Sequence, residues 1–151
     1  MIRATSPSRP SASDAPPAAQ KVSKIAPTDK VTVRKVDPFS QDQRGSVVEL
    51  GGEQTIGRLI LVISKKGSVR GNHYHLRSGH FVYVVEGKIR LTVRALGKVR
   101  MYKLAPGSVA WIPPQVEHVF YSLTDSKALE YAHDAYSSDD AFPLKEPLPG
   151  K

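Results

Sequence analysis

The stretch GSVRGNHYHLRSGHFVYVVEG, residues 67–87, contains three of the five histidines of this chain. Residues i and i+2 of a β-strand point to the same face, so one strand can direct both His73 and His75 at a single point. A third imidazole follows at His80, and a fourth, His118, lies on a distant segment. Such a set of histidines predicts either a metal site or an acid–base pair.

Short β-branched runs separated by glycine and proline continue on both sides of this stretch. They predict an all-β domain, either a sandwich or a barrel. Apart from the strand that carries His73 and His75, the predicted strands are VTVRKV (31–36), SVVEL (46–50), RLILVIS (58–64), HFVYVVE (80–86), KIRLTVRAL (88–96), KVRMYKL (98–104), SVAWI (108–112), EHVFYSL (117–123) and ALEYAHDAY (128–136). Helix is expected only as one turn near residues 137–142, where Ser138 could be the cap.

The strands differ in how many of their faces are apolar. HFVYVVE is apolar on both faces, which predicts burial between the interior and a second layer or a partner subunit. KIRLTVRA alternates, so one face is expected in the core and the other in solvent. The predicted core face holds Ile89, Leu91 and Val93, and the predicted wet face holds Arg90, Thr92 and Arg94.

The length of 151 residues suits one domain with tails. Residues 1–29 are rich in Pro, Ser and Ala and are predicted to be disordered, because they cannot bury enough apolar surface to offset their ordering entropy. The folded domain is expected over 30–143, followed by a C-terminal tail at 144–151. No apolar run approaches the roughly 20 residues of a membrane span, and no secretory signal is recognisable, so a cytoplasmic protein is predicted.

Charge and cysteine content restrict the possible partners. The chain has no cysteine, so any metal must be held by nitrogen and oxygen atoms. The formal net charge of +8 indicates either an anionic partner or basic side chains spread over a solvated surface.

The spacing of the histidines resembles that of a known superfamily. From Gly67 to Gly87 it matches the first motif of the cupins, with His80 where most cupins have Glu. A second motif is similar at Gly107, Pro113, His118 and Ser122, with Gln115 where Gly is usual and Ser122 where Asn is usual. The resemblance implies a single-domain jelly-roll barrel over about residues 30–140, with the motif residues converging inside it.

Four further segments narrow the resemblance. DQRGSVVEL, RGNHYH, IPPQVEH and ALEYAHDAYSSDDAF are similar to small cupins that act on nucleotide-linked keto-sugars. These include the dTDP-4-keto-6-deoxyglucose 3,4-ketoisomerases and the metal-binding capsular polysaccharide cupins that epimerise a UDP-keto-sugar. The resemblance implies an isomerase or epimerase with a small nucleotide-sugar substrate, no nucleic-acid or membrane partner, and a homodimer.

The candidate residues suit this chemistry. His73 and His75 are the predicted catalytic pair, because an imidazole pKa of about 6.5 allows a proton to be taken up and returned near neutral pH. Arg44, Arg70 and His118 are the predicted substrate-binding residues, since arginine binds diphosphate oxygens in a bidentate way. Arg44 and Arg70 could instead pair with a nearby carboxylate such as Asp42 or Glu49, whereas His133 is predicted to be a surface or packing residue.

Whether a metal is present stays open at this point. The four candidate ligands are His73, His75, His80 and His118, and imidazole suits Zn, Fe, Ni or Cu. Proton transfer by the histidines alone, without a metal, is equally compatible with the sequence. Two alternative functions also remain: a metal-dependent cupin dioxygenase, and a noncatalytic sugar-binding or regulatory cupin.

Overall fold

The computed structural model describes residues 30–51, 55–135 and 137–150. The predicted disordered tail at 1–29 lies outside the described residues. Within those residues the chain is built from β-strands with one short 3₁₀ turn, so the all-β prediction is confirmed. The same residues contain no helix with the length and hydrophobicity of a membrane span.

Two five-stranded antiparallel sheets form the jelly roll. The strands are β1 Thr32–Lys35, β2 Ser40–Asp42, β3 Gly45–Val47, β4 Arg58–Ser64, β5 Val69–His75, β6 His80–Glu86, β7 Ile89–Ala95, β8 Lys98–Leu104, β9 Ser108–Ile112, β10 Glu117–Ser122, β11 Ser126–Ala132 and β12 Ala141–Pro143. Sheet A has the order β1-β9-β6-β11-β4, sheet B has the order β12-β5-β10-β7-β8, and a separate hairpin joins β2 to β3.

The interior between the sheets is filled by the predicted alternating residues. A cluster of buried aliphatic side chains occupies it, including Val82, Val84, Leu91, Val93 and Ile112. The inward faces of β6 and β7 are therefore those predicted from the pattern, because side chains alternate between the two faces of a strand.

A second apolar cluster lies on the outer face of sheet A. There Phe81 packs between Trp111 and Tyr131, with ring centroids 4.5 and 4.9 Å away. Val48 and Leu50, which follow the β2–β3 hairpin, cover these rings. The strand β6 is buried on both faces over most of its length, as predicted from its two apolar faces.

The predicted wet face of β7 is partly covered, and in this respect the prediction was wrong. Thr92 is only 1% exposed. The reason is the segment 144–150, expected from sequence to be a tail, which crosses this face: Leu148 is buried, and Arg94 donates to the carbonyl of Glu146. Such long-range covering is not encoded in the alternation of a single strand.

Smaller differences concern strand ends and the helical turn. The run 46–50 pairs only as far as Val47, and the short strands β2 and β12 have no pattern that would predict them. The expected helical turn is a 3₁₀ turn, Ser138–Asp140, whose N-cap residue is Ser137 rather than Ser138. The turn matters for function, since it brings Asp140 to the histidines.

Candidate active site

Four histidines from three strands meet inside the barrel. His73 and His75 lie on β5, His118 lies on β10, and His80 begins β6. The His73 ring centroid is 4.9 Å from that of His75 and 4.8 Å from that of His118, while His80 is 5.0 Å from His118. The convergence expected from strand parity and the two motifs is therefore present in the structure.

His118 has one ring nitrogen aimed at the centre of this group. Its Nδ1 lies 2.9 Å from the carbonyl oxygen of Val116, which can only accept, so Nδ1 carries the proton in the neutral ring. The other nitrogen, Nε2, is buried and has no hydrogen-bond partner in the described part of the chain. It is left with a free lone pair, which suits a metal ion or a substrate hydroxyl.

Three of the histidines are close enough to hold one metal ion. One nitrogen each from His73, His75 and His118 lies within 4.8 Å of the others. His80, the fourth predicted ligand, is outside this group of three, although its ring centroid is 5.2 Å from that of His75. An all-imidazole set without a carboxylate fits Zn, Fe, Ni or Cu better than Mg or Ca.

All four imidazoles are held in the neutral form. Burial is the main cause: it lowers the pKa of His73 and His75, lowers that of His80 well below its usual value, and lowers that of His118 to about 3. Neighbouring imidazoles add to the effect at His73, His80 and His118, and the positive charge of Arg58 adds to it at His73, His75 and His80. At His75 the Asp140 carboxylate opposes it. Neutral imidazoles at physiological pH can act as proton acceptors or metal ligands.

Acid should therefore destabilise the metal-free protein. The unfolded histidines take up protons near pH 6.5 while the folded ones stay neutral, so stability is present above that pH and is lost as the pH falls. We expect chelator-treated protein to lose stability between pH 7 and pH 5 in urea titrations, with His118 alone accounting for about 2 kcal/mol. His80→Gln should show a shallower decline than wild type; an equal or steeper one would contradict the assignment.

An irregularity in β5 decides which residues accompany the histidines. Gly71 and Asn72 have φ angles of +90° and +62°, and the register against β10 shifts at this point. Arg70 and His73 are three residues apart, and regular alternation would place them on opposite faces. The bulge places both on the inner face, where they pair with Phe120 and His118 respectively.

The two predicted substrate-binding arginines lie in different places. Arg70 donates through Nε to the Ser64 hydroxyl at 2.8 Å and lines a cavity next to the histidines. Arg44 is at the β2–β3 hairpin turn, with an 85% exposed side chain whose Nη2 is 2.6 Å from Asp42 Oδ2. Pairing with Asp42, one of the alternatives left open by the sequence, is thus what the structure contains, and substrate binding by Arg44 stays a prediction.

Asp140 is a site residue that the sequence did not reveal. Its carboxylate is buried, accepts hydrogen bonds from the backbone N–H groups of Arg77 and Ser78, and lies 4.0 Å from Nδ1 of His75. Burial acts to raise the pKa of Asp140, but these N–H groups and the Arg77 charge lower it overall. The resulting anion faces His75 from a position 65 residues further along the chain, so no local pattern could indicate it.

Arg58 and Glu130 were also missed, although the sequence contained a signal for both. Arg58 is in phase with the inward residues of β4, and Glu130 is in phase with the inward residues of β11. A charged side chain on the apolar face of a predicted strand is a recognisable exception to the alternation. The charge of Arg58 acts on His73, His75 and His80, and Glu130 pairs with Val82, which is two residues from His80 on the same face of β6.

Two antiparallel sheets closed over inward histidines from both motifs define a cupin, as the resemblance implied. Residues 40–125, more than half of the chain, match the model of the polysaccharide biosynthesis C-terminal domain, and the chain belongs to this family. No curated protein matches the chain in sequence.

Solved structures with the same fold include several enzymes of sugar-nucleotide metabolism. A sugar 3,4-ketoisomerase from Thermoanaerobacterium thermosaccharolyticum, in complex with TDP, is 19% identical, with a TM-score of 0.68 over 76% of this chain and 88% of that one. The TDP-quinovose 3,4-ketoisomerase from Campylobacter jejuni is 15% identical, with a TM-score of 0.70 over 78% and 95%. The dTDP-4-dehydrorhamnose 3,5-epimerase from Sulfolobus tokodaii is 24% identical, with a TM-score of 0.64 over 76% and 82%.

Proposed function

We propose that this chain is an isomerase or epimerase of a nucleotide-linked keto-sugar in polysaccharide or deoxysugar biosynthesis. The observation that carries the proposal is the pair of neutral imidazoles, His73 and His75, side by side inside a cupin barrel. The family match and the ketoisomerases and epimerases with the same fold support it.

The isomerisation requires a base that removes a proton from the sugar and an acid that returns one. A ketone acidifies the hydrogen on the neighbouring carbon, and its removal gives an enediolate; return of the proton at another position or on the other face gives the isomer or epimer. One histidine of the pair removes the proton, and the other protonates or stabilises the developing oxyanion. Asp140, 4.0 Å from His75, stabilises the imidazolium that forms when His75 accepts a proton.

Positive charge at the site suits an anionic substrate. The positive charge of Arg58 lowers the pKa of three of the histidines, and Arg70 lines the adjoining cavity. A nucleotide diphosphate would lie against these guanidinium groups, which bind phosphate oxygens in a bidentate way. We assign Arg70 and His118 to substrate binding on this basis, and the surface charge of the protein would assist the approach of the substrate.

Solvent exchange tests the proposal directly. Purified protein incubated in D₂O with dTDP-, UDP- and GDP-linked 4-keto-6-deoxy sugars should introduce deuterium next to the ketone of at least one of them, as detected by mass spectrometry. The corresponding 4-hydroxy sugar nucleotides are the control, because they lack the acidified hydrogen. Absence of exchange with every keto-sugar would refute the proposal.

A divalent metal at His73, His75 and His118 is the alternative form of this proposal, because an imidazole whose lone pair binds a metal cannot also accept the substrate proton. The free lone pair of His118 Nε2 and the closeness of the three ligand nitrogens support it. A bound metal would supply a Lewis acid for the sugar ketone. Elemental analysis of the purified protein, compared with a His118→Leu variant, measures this occupancy without depending on activity.

The all-nitrogen ligand set also favours a second candidate, a cupin dioxygenase, because iron and copper are well held by imidazole. Oxygen consumption on addition of a reduced small substrate would distinguish it from an isomerase, which consumes no oxygen.

We further propose a cytoplasmic homodimer. Three large aliphatic side chains of the edge strand β4, Leu59, Leu61 and Ile63, are 61%, 56% and 59% exposed on the outer face of sheet A. The charged residue that pairs with this patch, Lys127 opposite Ile63, is already in an ion pair with Glu86, so a second copy of the same apolar face suits the patch better than a charged partner. Sedimentation should give twice the chain mass for wild type and a monomer for Leu61→Glu, whereas a monomeric wild type would exclude this dimer.

A further inference from the structure

Glu130 is a carboxylate in the barrel interior for which the proton-transfer chemistry has no use. It pairs with Val82 on β6 and with Ile60 on β4, so its side chain is on the inner face of sheet A. His80 is two residues from Val82 on the same face, which places it diagonally from Glu130 at about 7–8 Å between Cα atoms. The carboxylate is therefore beside the histidine group but is not one of the candidate ligands.

Glu130 lines a cavity whose other polar lining residues are Ser64, Arg70 and Ser122. Phe120 also lines this cavity, and its ring centroid is 5.8 Å from that of His118, so Phe120 adjoins both the cavity and the histidine group. A sugar bound at the histidines would lie beside Glu130, because Glu130 is diagonal from His80 on the same inner face.

The hydrogen-bonding state of Glu130 differs from that of its polar neighbours. Arg70 donates to Ser64 and to the carbonyl of Ile63, and Ser122 shares a hydrogen bond with Ser126. Glu130 accepts no hydrogen bond from the part of the chain that the structure describes. Burial raises its pKa, and the charges of Arg58 and Arg70 oppose this effect.

A half-buried carboxylate that accepts no hydrogen bond keeps its acceptor capacity for a donor on the ligand, and partial burial strengthens such a bond. In a nucleotide sugar the diphosphate has to be bound by cations, whereas the ring hydroxyls can donate hydrogen bonds to a carboxylate. We infer that Glu130 binds a ring hydroxyl of the sugar and selects for sugars that have a hydroxyl at that position. The inference rests on the proposed function for its ligand class.

The alternative role for Glu130 is to neutralise Arg58 and Arg70 without touching the ligand. Two substitutions separate the roles. Glu130→Gln retains an acceptor oxygen but has no charge, and Glu130→Leu has neither. A hydroxyl acceptor is largely preserved in the glutamine variant, while a charge-neutralising group is lost equally in both.

Calorimetric binding of nucleotide sugars provides the test. The probes are dTDP-glucose, UDP-glucose and GDP-glucose, and then each monodeoxy derivative of the tightest of them. Wild type should bind one deoxy derivative about tenfold or more weakly than the parent. Glu130→Leu should bind the parent sugar more weakly than wild type by that same factor, and should bind the parent and that deoxy derivative with equal affinity. The affinities of Glu130→Gln should lie in between. Val62→Ala, in the same cavity, should affect all probes equally.

The inference is overturned if the loss of affinity caused by Glu130→Leu is the same for the parent sugar and for every deoxy derivative, so that the two losses multiply. It is also overturned if Glu130→Gln and Glu130→Leu weaken binding equally, or if wild type binds none of the probes. Because the measurement is one of binding, it does not depend on turnover. Binding that follows the expected cycle in a protein without deuterium exchange would refute the isomerase and leave the role of Glu130 intact. Deuterium exchange together with multiplying losses of affinity would support the isomerase and refute the role of Glu130.

Discussion

His73→Asn and His75→Asn should each reduce deuterium incorporation into the keto-sugar by about 100-fold or more. The two rings lie 4.9 Å apart on one face of β5, and burial keeps both neutral, so one can accept a proton while the other donates or stabilises the oxyanion. Asparagine has nearly the size of histidine but cannot exchange a proton near neutral pH. The rate of exchange measured by mass spectrometry gives the effect.

His133→Asn is the matched control for this prediction. His133 is exposed, and its Nδ1 bonds the carbonyl of Thr55 away from the four-histidine group, so exchange should stay at the wild-type rate. Circular dichroism and thermal melting must show that all three variants are folded. Near-normal exchange by folded His73→Asn and His75→Asn proteins would exclude proton transfer by this pair.

Gly87→Ala should destabilise the fold by on the order of 4 kcal/mol, a large fraction of the roughly 5–15 kcal/mol that stabilises a typical domain. Gly87 connects β6 to β7 with a φ angle of +81°, which is unfavourable for any residue with a Cβ. An added Cβ would also lie 2.1 Å from the carbonyl oxygen of Asp125 and 2.8 Å from the Cα of Ser126. The obstructing atoms are backbone, so they can move only if the β10–β11 connection moves with them.

Gly97→Ala separates the clash from the backbone strain. Gly97 has a similar φ of +72°, but nothing lies within 4 Å of an added Cβ. Its substitution should cost only about 1–2 kcal/mol, the penalty of a left-handed conformation. Urea unfolding of both variants measures the difference, and similar losses for Gly87→Ala and Gly97→Ala would show that the close approach to Asp125 is unimportant.

Motif glycines and their replacements show how much of the site could be predicted. Gly71 and Gly87 both have positive φ angles, which explains why the motif needs glycine at these positions. Gln115, which stands where a cupin usually has glycine, has a φ of +64°, and its N–H bonds the carbonyl of His75. The chain therefore retains the backbone conformation of the motif with a less suitable residue.

The limits of prediction from sequence appear at residues whose environment depends on distant segments. The wet face expected for β7 is partly covered, because residues 144–150 cross it and bury Thr92 and Leu148. The alternation of β7 therefore gave its two faces correctly, and the burial of the outer face was decided by a contact that the pattern does not contain.

The sequence by itself determined most of the strands, their inward faces and the group of histidines inside the barrel. Period-two alternation is local, so it placed His73 and His75 together, and the spacing of two motifs brought His80 and His118 to the same interior. Only the tertiary structure decided the electrostatic surroundings of these histidines. Strand register and one bulge place Arg58, Arg70 and Glu130 near them, and the 3₁₀ turn places Asp140 beside His75. Register between strands arises from packing of the whole barrel, which no single segment encodes.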